Sequence, residues 1–136
     1  MRIAALDVGD ARIGVAVSDE LGLTARGIGV VKRVGGRRDL EALAKMLAPF
    51  APTDLVVGLP LNMDGSEGPQ ARKTRVFGDK VAVHLALPVT FVDERLTTTE
   101  AEERLRAAGI RGPRLKAVVD QEAAAIILED FLASRR

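Results

Sequence analysis

Three apolar runs separated by short turns open the chain, and this pattern most restricts the fold that the chain can adopt. The runs cover residues 2–8, 13–17 and 25–34, and residues 9–11 and 19–22 supply the turns. Strands joined by connections this short pair as antiparallel neighbours. The N-terminal third is therefore predicted to form a three-stranded antiparallel meander.

Helices and strands are predicted to alternate along the rest of the chain. Apolar periodicity and breaks at proline or glycine predict these elements in order: a helix over 39–50, a strand over 54–58, a helix over 69–85, a strand over 88–93, a helix from 97 that Gly109 ends, and a helix over 115–133. A meander followed by such alternation is typical of an α/β fold with a mixed five-stranded sheet, in the order β-β-β-α-β-α-β-α-α, flanked by helices. We expect a single domain over 1–136.

Composition narrows the function classes without selecting one. The 136 residues include no cysteine, which excludes disulfides and thiolate metal sites, and carry a net charge of +1. No apolar stretch approaches the roughly 18 residues that span a membrane, and no leader pattern opens the chain. We therefore expect a cytoplasmic protein with no membrane partner. Basic residues cluster at 32–33, 72–75 and 104–106, a distribution that suits contact with a polyanion.

Acidic residues stand at three places where a charge is costly to bury. Asp7 ends the first apolar run, and Glu94 follows the last predicted strand. Asp120 shares one face of the last predicted helix with Ala124 and Ile127. An unpaired charge at such positions is expensive, and α/β sheets place their ligand sites at the carboxyl ends of strands. We predict that Asp7, Glu94 and Asp120 converge as catalytic residues.

Convergence of three carboxylates predicts a bound cation. Two carboxylates about 5 Å apart repel by roughly 3 kcal/mol at an effective dielectric of about 20. Oxygen ligands of this kind suit Mg²⁺ or Mn²⁺, so Asp7, Glu94 and Asp120 are also the predicted metal ligands, for one ion or two. A pair of such ions activates a water and stabilises the leaving oxygen of a phosphodiester. The sequence therefore favours metal-dependent phosphodiester chemistry.

Groups able to bind phosphate follow Glu94 directly. Arg95 supplies a cation, and Thr97 and Thr98 supply hydroxyls that either contact phosphate or hold the glutamate. A second set lies in the loop before the predicted helix at 69–85. There Asn62 and Ser66 offer hydrogen bonds beside a helix N-terminus, a combination that is able to cradle a phosphate.

Four motifs, in order over nearly the whole chain, make it resemble the YqgF/RuvX family. They are Asp-Val-Gly at 7–9 with Arg-Ile-Gly at 12–14, Val-Gly-Leu-Pro-Leu-Asn at 57–62 with Asp-Gly-Ser at 64–66, Asp-Glu-Arg-Leu-Thr-Thr at 93–98, and Val-Asp at 119–120 with Ala-Ala at 123–124. The pair Asp10-Ala11 departs from the Thr/Lys-like residues expected in that turn.

The resemblance implies an RNase H-like fold related to the RuvC Holliday-junction resolvases. It further implies a cytoplasmic nuclease that matures the 5′ end of precursor 16S ribosomal RNA. Asp7, Glu94 and Asp120 match the acidic triad of the family, and Arg12 and Arg95 match its motif arginines.

Our leading hypothesis is a divalent-metal-dependent endonuclease acting on nucleic acid. Arg12, Arg95 and Lys116 would steady the scissile phosphate, and the basic loop 109–116, which contains Arg114, would close over it. A Holliday-junction resolvase is the first alternative, and it would need a homodimer because two symmetric cuts require two active sites. The second alternative is a non-catalytic nucleic-acid-binding module in transcription or ribosome assembly.

Overall fold

The structure is a computed structural model, and it describes residues 1–94 and 97–135. Its strands and helices, in chain order, are β1 (Ile3–Val8), β2 (Arg12–Ser18), β3 (Ala25–Lys32), α1 (Arg37–Leu47), β4 (Asp54–Leu59), α2 (Pro69–Leu85), β5 (Val89–Asp93), α3 (Thr97–Ala107) and α4 (Pro113–Ser134). A 3₁₀ turn over Ala48–Phe50 follows α1. None of the described helices is both long and apolar enough to cross a membrane.

The strands form one mixed sheet in the order β3-β2-β1-β4-β5. The three N-terminal strands pair antiparallel, whereas β4 pairs parallel to β1 and β5 pairs parallel to β4. The predicted α/β class, element order and meander are therefore confirmed. Because β1, β4 and β5 run in the same direction, their carboxyl ends lie at one edge of the sheet.

Alternation along β1 divides the core between two faces of the sheet. Ala4 and Leu6 pack with the apolar sides of α1 and α2. Ile3 and Ala5 pack with α4 on the other face. Successive side chains of a strand point to opposite faces, so Asp7 continues the row that faces α4. The strand pattern thus directs this carboxylate toward the helix that carries Asp120.

Two glycines let α4 lie unusually close to the sheet. A Cβ atom at Gly14 would overlap the backbone carbonyl of Asp120, and one at Gly27 would stand 2.8 Å from the carbonyl oxygen of Gln121. Gly14 pairs directly with Asp7 across the β1–β2 ladder. The absence of a side chain at Gly14 therefore fixes the height of α4 at the point where Asp120 must approach Asp7.

Three predicted helix boundaries differ from the structure by two or three residues. The first helix begins at Arg37 and gives way to the 3₁₀ turn at Ala48, because Pro49 lacks an N–H donor and Ala51 takes a left-handed conformation. The last helix begins at Pro113, which suits the first helical position. The predicted closing loop 109–116 is thus half helical.

Candidate active site

Two of the predicted acids meet at the sheet edge in a cavity of about 440 Å³. Asp7 is the penultimate residue of β1, and Glu94 follows β5 directly, with its backbone N–H donating to the carbonyl oxygen of Leu59 at 3.0 Å. The Asp7 and Glu94 side chains are hydrogen-bonded to each other. The structure therefore brings together two carboxyl groups from positions 87 residues apart (94 − 7).

Gly58 explains how Glu94 reaches Asp7 across the intervening strand. Adjacent strands lie about 4.8 Å apart, so β1 and β5 are separated by roughly twice that distance with β4 between them. A Cβ atom at Gly58 of β4 would stand 2.9 Å from the Glu94 carboxyl carbon and 2.7 Å from Ile127. Because glycine leaves this space open, the glutamate side chain can fold over β4.

The Asp7–Glu94 pair holds a proton that ordinary carboxyl groups would lose. Burial, the negative charge of Asp7 and the hydrogen bond between the two side chains together raise the pKa of Glu94 to about 10, and burial is the largest of these causes. Burial also raises the pKa of Asp7, partly offset by the hydrogen bond from Glu94. Glu94 is thus the proton donor of the pair, and Asp7 is the acceptor.

Asp120 lines the same cavity but is neutralised by a different partner. Its Oδ2 accepts a hydrogen bond from Arg12 Nε at 2.6 Å. The Arg12 side chain is 51% exposed, whereas that of Asp120 is 19% exposed. The three acids therefore line one cavity, with two kinds of charge compensation: a shared proton for Asp7 and Glu94, and an arginine for Asp120.

The donor set fits a hard divalent cation, although not without rearrangement. Within residues 1–94 and 97–135, no three acidic or histidine side chains are spaced to hold a metal ion as they stand. This spacing results from the contacts that the acids already make. Arg12 binds Asp120, while Asp7 and Glu94 are hydrogen-bonded to each other. A divalent cation would replace both the retained proton and the guanidinium, which are monovalent substitutes for it.

The other predicted contacts divide into three groups. Thr97 and Thr98, at the start of α3, line the acid cavity. Asn62 and Ser66 do not line this cavity. Asn62 Nδ2 donates to Ser66 Oγ at 3.0 Å, and Ser66 Oγ donates to Asp64 at 2.6 Å, so the polar side chains of this loop are hydrogen-bonded to one another. Arg95 lies outside the described residues.

Arg114 and Lys116 lie in the first turn of α4, where both are exposed. The cation that neutralises Asp120 is Arg12, at the start of β2. Neither Arg114 nor Lys116 lines the acid cavity. The predicted phosphate contacts of these two residues stay predictions.

Sequence reasoning missed a row of cations beside the acids. Four basic residues line a second cleft of about 750 Å³ that shares Val8 and Gln70 with the acid cavity: Arg33, Arg72, Lys73 and Lys80. The basic clusters at 32–33 and 72–75 were visible in the sequence. Their joint position was not, because it depends on how α2 lies against the connection between β3 and α1.

The stability of the fold should depend on pH, because Glu94 keeps its proton in the folded protein. The pKa of Glu94 is 4.5 in the unfolded reference and about 10 in the fold, so its stabilising contribution is complete below pH 4.5 and declines as pH rises toward 10. We expect calorimetric Tm in the presence of a chelator to fall between pH 5 and 9. Glu94→Gln should flatten that fall, because glutamine is neutral at every pH.

Glu103→Gln is the matched control for this experiment, because Glu103 is an exposed acid of α3 outside the cavity. It should keep the slope of the wild type. Parallel Tm profiles for wild type and Glu94→Gln would show that the fold does not retain the proton.

Two solved structures with the same fold are proteins in complex with Holliday junctions. The Thermus thermophilus RuvC in complex with a Holliday junction substrate superposes with a TM-score of 0.59 at 20% identity, over 99% of this chain and 95% of that chain. The fowlpox virus resolvase in complex with a Holliday junction gives 0.58 at 10% identity, over 99% of both chains. The fold is therefore that of the RNase H-like resolvases, as predicted.

Sequence comparison defines the family more closely. The family model RuvX, described as Holliday junction resolvase, matches residues 1–134. A relative from Anaeromyxobacter dehalogenans strain 2CP-C is 47% identical over 99% of this chain and 98% of its own length, and one from Myxococcus xanthus is 48% identical over 100% and 90%. Both are named as candidate pre-16S rRNA nucleases. The chain belongs to the RuvX family.

The predicted enzyme class is confirmed by these matches: the chain is a nuclease, a hydrolase of phosphodiester bonds. The alternative of a non-catalytic module is correspondingly disfavoured.

Proposed function

We propose that this nuclease is a divalent-metal-dependent endonuclease that processes the 5′ end of precursor 16S ribosomal RNA in the cytoplasm. The observation that supports the metal requirement is the hydrogen-bonded Asp7–Glu94 pair, which shares one cavity with Asp120 and whose two pKa values are raised, first by burial and then by the neighbouring negative charges. The names of the relatives support the substrate. The location follows from that substrate.

Asp7, Glu94 and Asp120 would hold Mg²⁺ or Mn²⁺, as one ion or two. When bound, the ion would supply an activated water and would neutralise the charge that develops on the phosphate. Arg12 has more than half of its side chain exposed, so it is able to leave Asp120 and contact a phosphate oxygen. Thr97 and Thr98 line the same cavity and offer hydroxyl donors to the substrate.

Precursor RNA and a four-way DNA junction, incubated side by side with Mg²⁺, Mn²⁺ or a chelator, test this function. We expect endonucleolytic cuts in the precursor RNA that require the metal, mapped by primer extension to its 5′ flank. Equal cleavage with the chelator would exclude the metal requirement. Cleavage of the junction alone would exclude the RNA assignment.

Junction resolution is the second candidate, and the fold of the two resolvases bound to junctions favours it. Symmetric cleavage of a junction needs a twofold dimer with two active sites. A monomeric mass in solution together with no paired cuts in the junction would rule this candidate out.

A further inference from the structure

The larger cleft beside the acid cavity is formed by three parts of the chain. Helix α2 supplies one wall, and the β1–β2 turn and the connection from β3 to α1 supply the other. The cleft adjoins the acid cavity through Val8 and Gln70, which line both. Gln70 Nε2 donates to Asp10 Oδ1 at 3.3 Å at this boundary. An extended ligand bound in the cleft would therefore reach the acid cavity and approach Asp7.

The two cavities carry opposite charges. The described lining of the acid cavity contains Asp7, Glu94 and Asp120 and neither lysine nor arginine. The cleft contains four cations, which are Arg33, Arg72, Lys73 and Lys80, and its one acidic residue in the described part of the chain is Asp10. A polyanion crossing both would thus have its flank held by cations while one phosphate lies among the acids.

The lysines of the cleft are available for a ligand. Lys73 and Lys80 are seven residues apart on α2, about 10 Å along the helix, and both are exposed. Within the described ranges, neither ammonium group forms a hydrogen bond or an ion pair with another residue. Because their separation is large, they would contact different phosphates of an extended strand.

Arg33 forms the rigid wall opposite these lysines. It donates to the carbonyl oxygen of Gly9 at 2.8 Å, its Nε lies 3.4 Å from the buried Asp39, and its guanidinium stacks on Phe77 at 4.4 Å. Thr74 is 1% exposed on the floor, and its Oγ1 has no hydrogen-bond partner among the described residues. Buried hydroxyls are normally paired, so the floor retains an unmatched polar group.

We propose that this cleft binds the sugar-phosphate backbone of the polynucleotide on one side of the scissile phosphate. Lys73, Lys80 and Arg72 contact the phosphates, and Arg33 shapes the wall. The direction of the strand toward the acid cavity rests on the proposed function, whereas binding in the cleft does not. Asp10 weakens this binding, since its carboxylate faces the same phosphates.

Fluorescence anisotropy of a labelled single-stranded RNA and of the DNA of the same sequence tests the cleft. All variants carry Asp7→Asn, so the probe stays intact during the titration. Lys73→Gln with Lys80→Gln should weaken binding by about tenfold and lower the salt slope by about 1.4, since each contact with a single strand contributes about 0.7. Asp10→Asn should tighten binding by roughly twofold, the opposite sign.

Arg38→Gln with Lys45→Gln is the matched control, because it removes the same charge from exposed positions of α1 that line neither cavity. It should change the affinity by less than about twofold. Equal weakening by both double variants, or by neither, would overturn the cleft assignment. Thermal midpoints confirm that all the variants are folded.

The two proposals fail separately. If the cleft variant binds like the control while the wild type still cleaves precursor RNA, the cleft assignment is wrong and the nuclease assignment stands. If the cleft variant alone loses binding and the wild type cleaves neither RNA nor junction with metal present, the cleft assignment stands and the proposed substrate is wrong.

Discussion

Replacing Asp7 by asparagine should lower cleavage by at least about 10³-fold, which corresponds to roughly 4 kcal/mol of transition-state stabilisation. Asp7 is the acceptor in the Asp7–Glu94 pair, and its carboxylate is the negative charge that would attract the cation. Asparagine has the same shape but no charge, so it offers the metal a much weaker ligand. Single-turnover cleavage of precursor RNA at saturating Mg²⁺ measures the loss.

The same substitution should leave the fold intact and increase its Tm slightly. Burial raises the pKa of Asp7, which means that the fold opposes its ionised form. Asparagine carries no charge, so it removes the free-energy cost of burying the ionised carboxylate. Active-site replacements commonly gain stability and lose activity for this reason. Isothermal calorimetry with Mn²⁺ should show loss of the site in Asp7→Asn.

Asp79→Asn is the matched control, since Asp79 is an exposed acid of α2 that lies outside the acid cavity. It should cleave and bind Mn²⁺ like the wild type. Wild-type cleavage by Asp7→Asn, or equal losses in both variants, would remove Asp7 from the mechanism. Circular dichroism separates either result from unfolding.

Much of the site was predictable because strand geometry is local. The two-residue period of β1 determines which face Asp7 occupies, and parallel strands necessarily end at a common edge. Glu94 follows the last strand and therefore lies at that edge. Asp120 could be placed by the apolar stripe containing Ala124 and Ile127, both of which are buried in the core. These inferences required no knowledge of long-range contacts.

The charge compensation was not predictable, because it depends on side-chain positions across separate elements. Arg12 is distant from Asp120 in sequence, and nothing in the motif indicates that its guanidinium lies 2.6 Å from that carboxylate. Lys116, one turn away on the same helix, is much nearer to Asp120 in sequence. The cation is instead at the start of β2, the strand against which this helix packs.

Replacing Gly14 by alanine should cost about 4 kcal/mol of unfolding free energy, at the upper end of single substitutions. The added Cβ would overlap the backbone carbonyl of Asp120, and helix backbone cannot yield locally as a flexible side chain can. The helix would have to move away from the sheet and expose the core that it covers with Ile127 and Leu128. Urea unfolding measures the cost directly.

Gly29→Ala separates this contact from the general effect of adding a methyl group to the sheet. Gly29 lies on the neighbouring strand, and its Cβ would meet the terminal methyl of Met46 at 3.1 Å, an atom that a rotamer change can displace. It should cost less than about 1.5 kcal/mol. Equal costs for the two substitutions would mean that α4 does not depend on Gly14 for its position.

Gly14→Ala should also weaken the binding of Mn²⁺ in the acid cavity. Gly14 pairs with Asp7 and lies under Asp120, so any shift of α4 changes the distance between these two acids. At a temperature where the variant is still folded, we expect Mn²⁺ affinity to fall at least tenfold while Glu94 continues to hold its proton beside Asp7. Unchanged affinity in a destabilised variant would show that Asp120 contributes to the fold without contributing to the metal site.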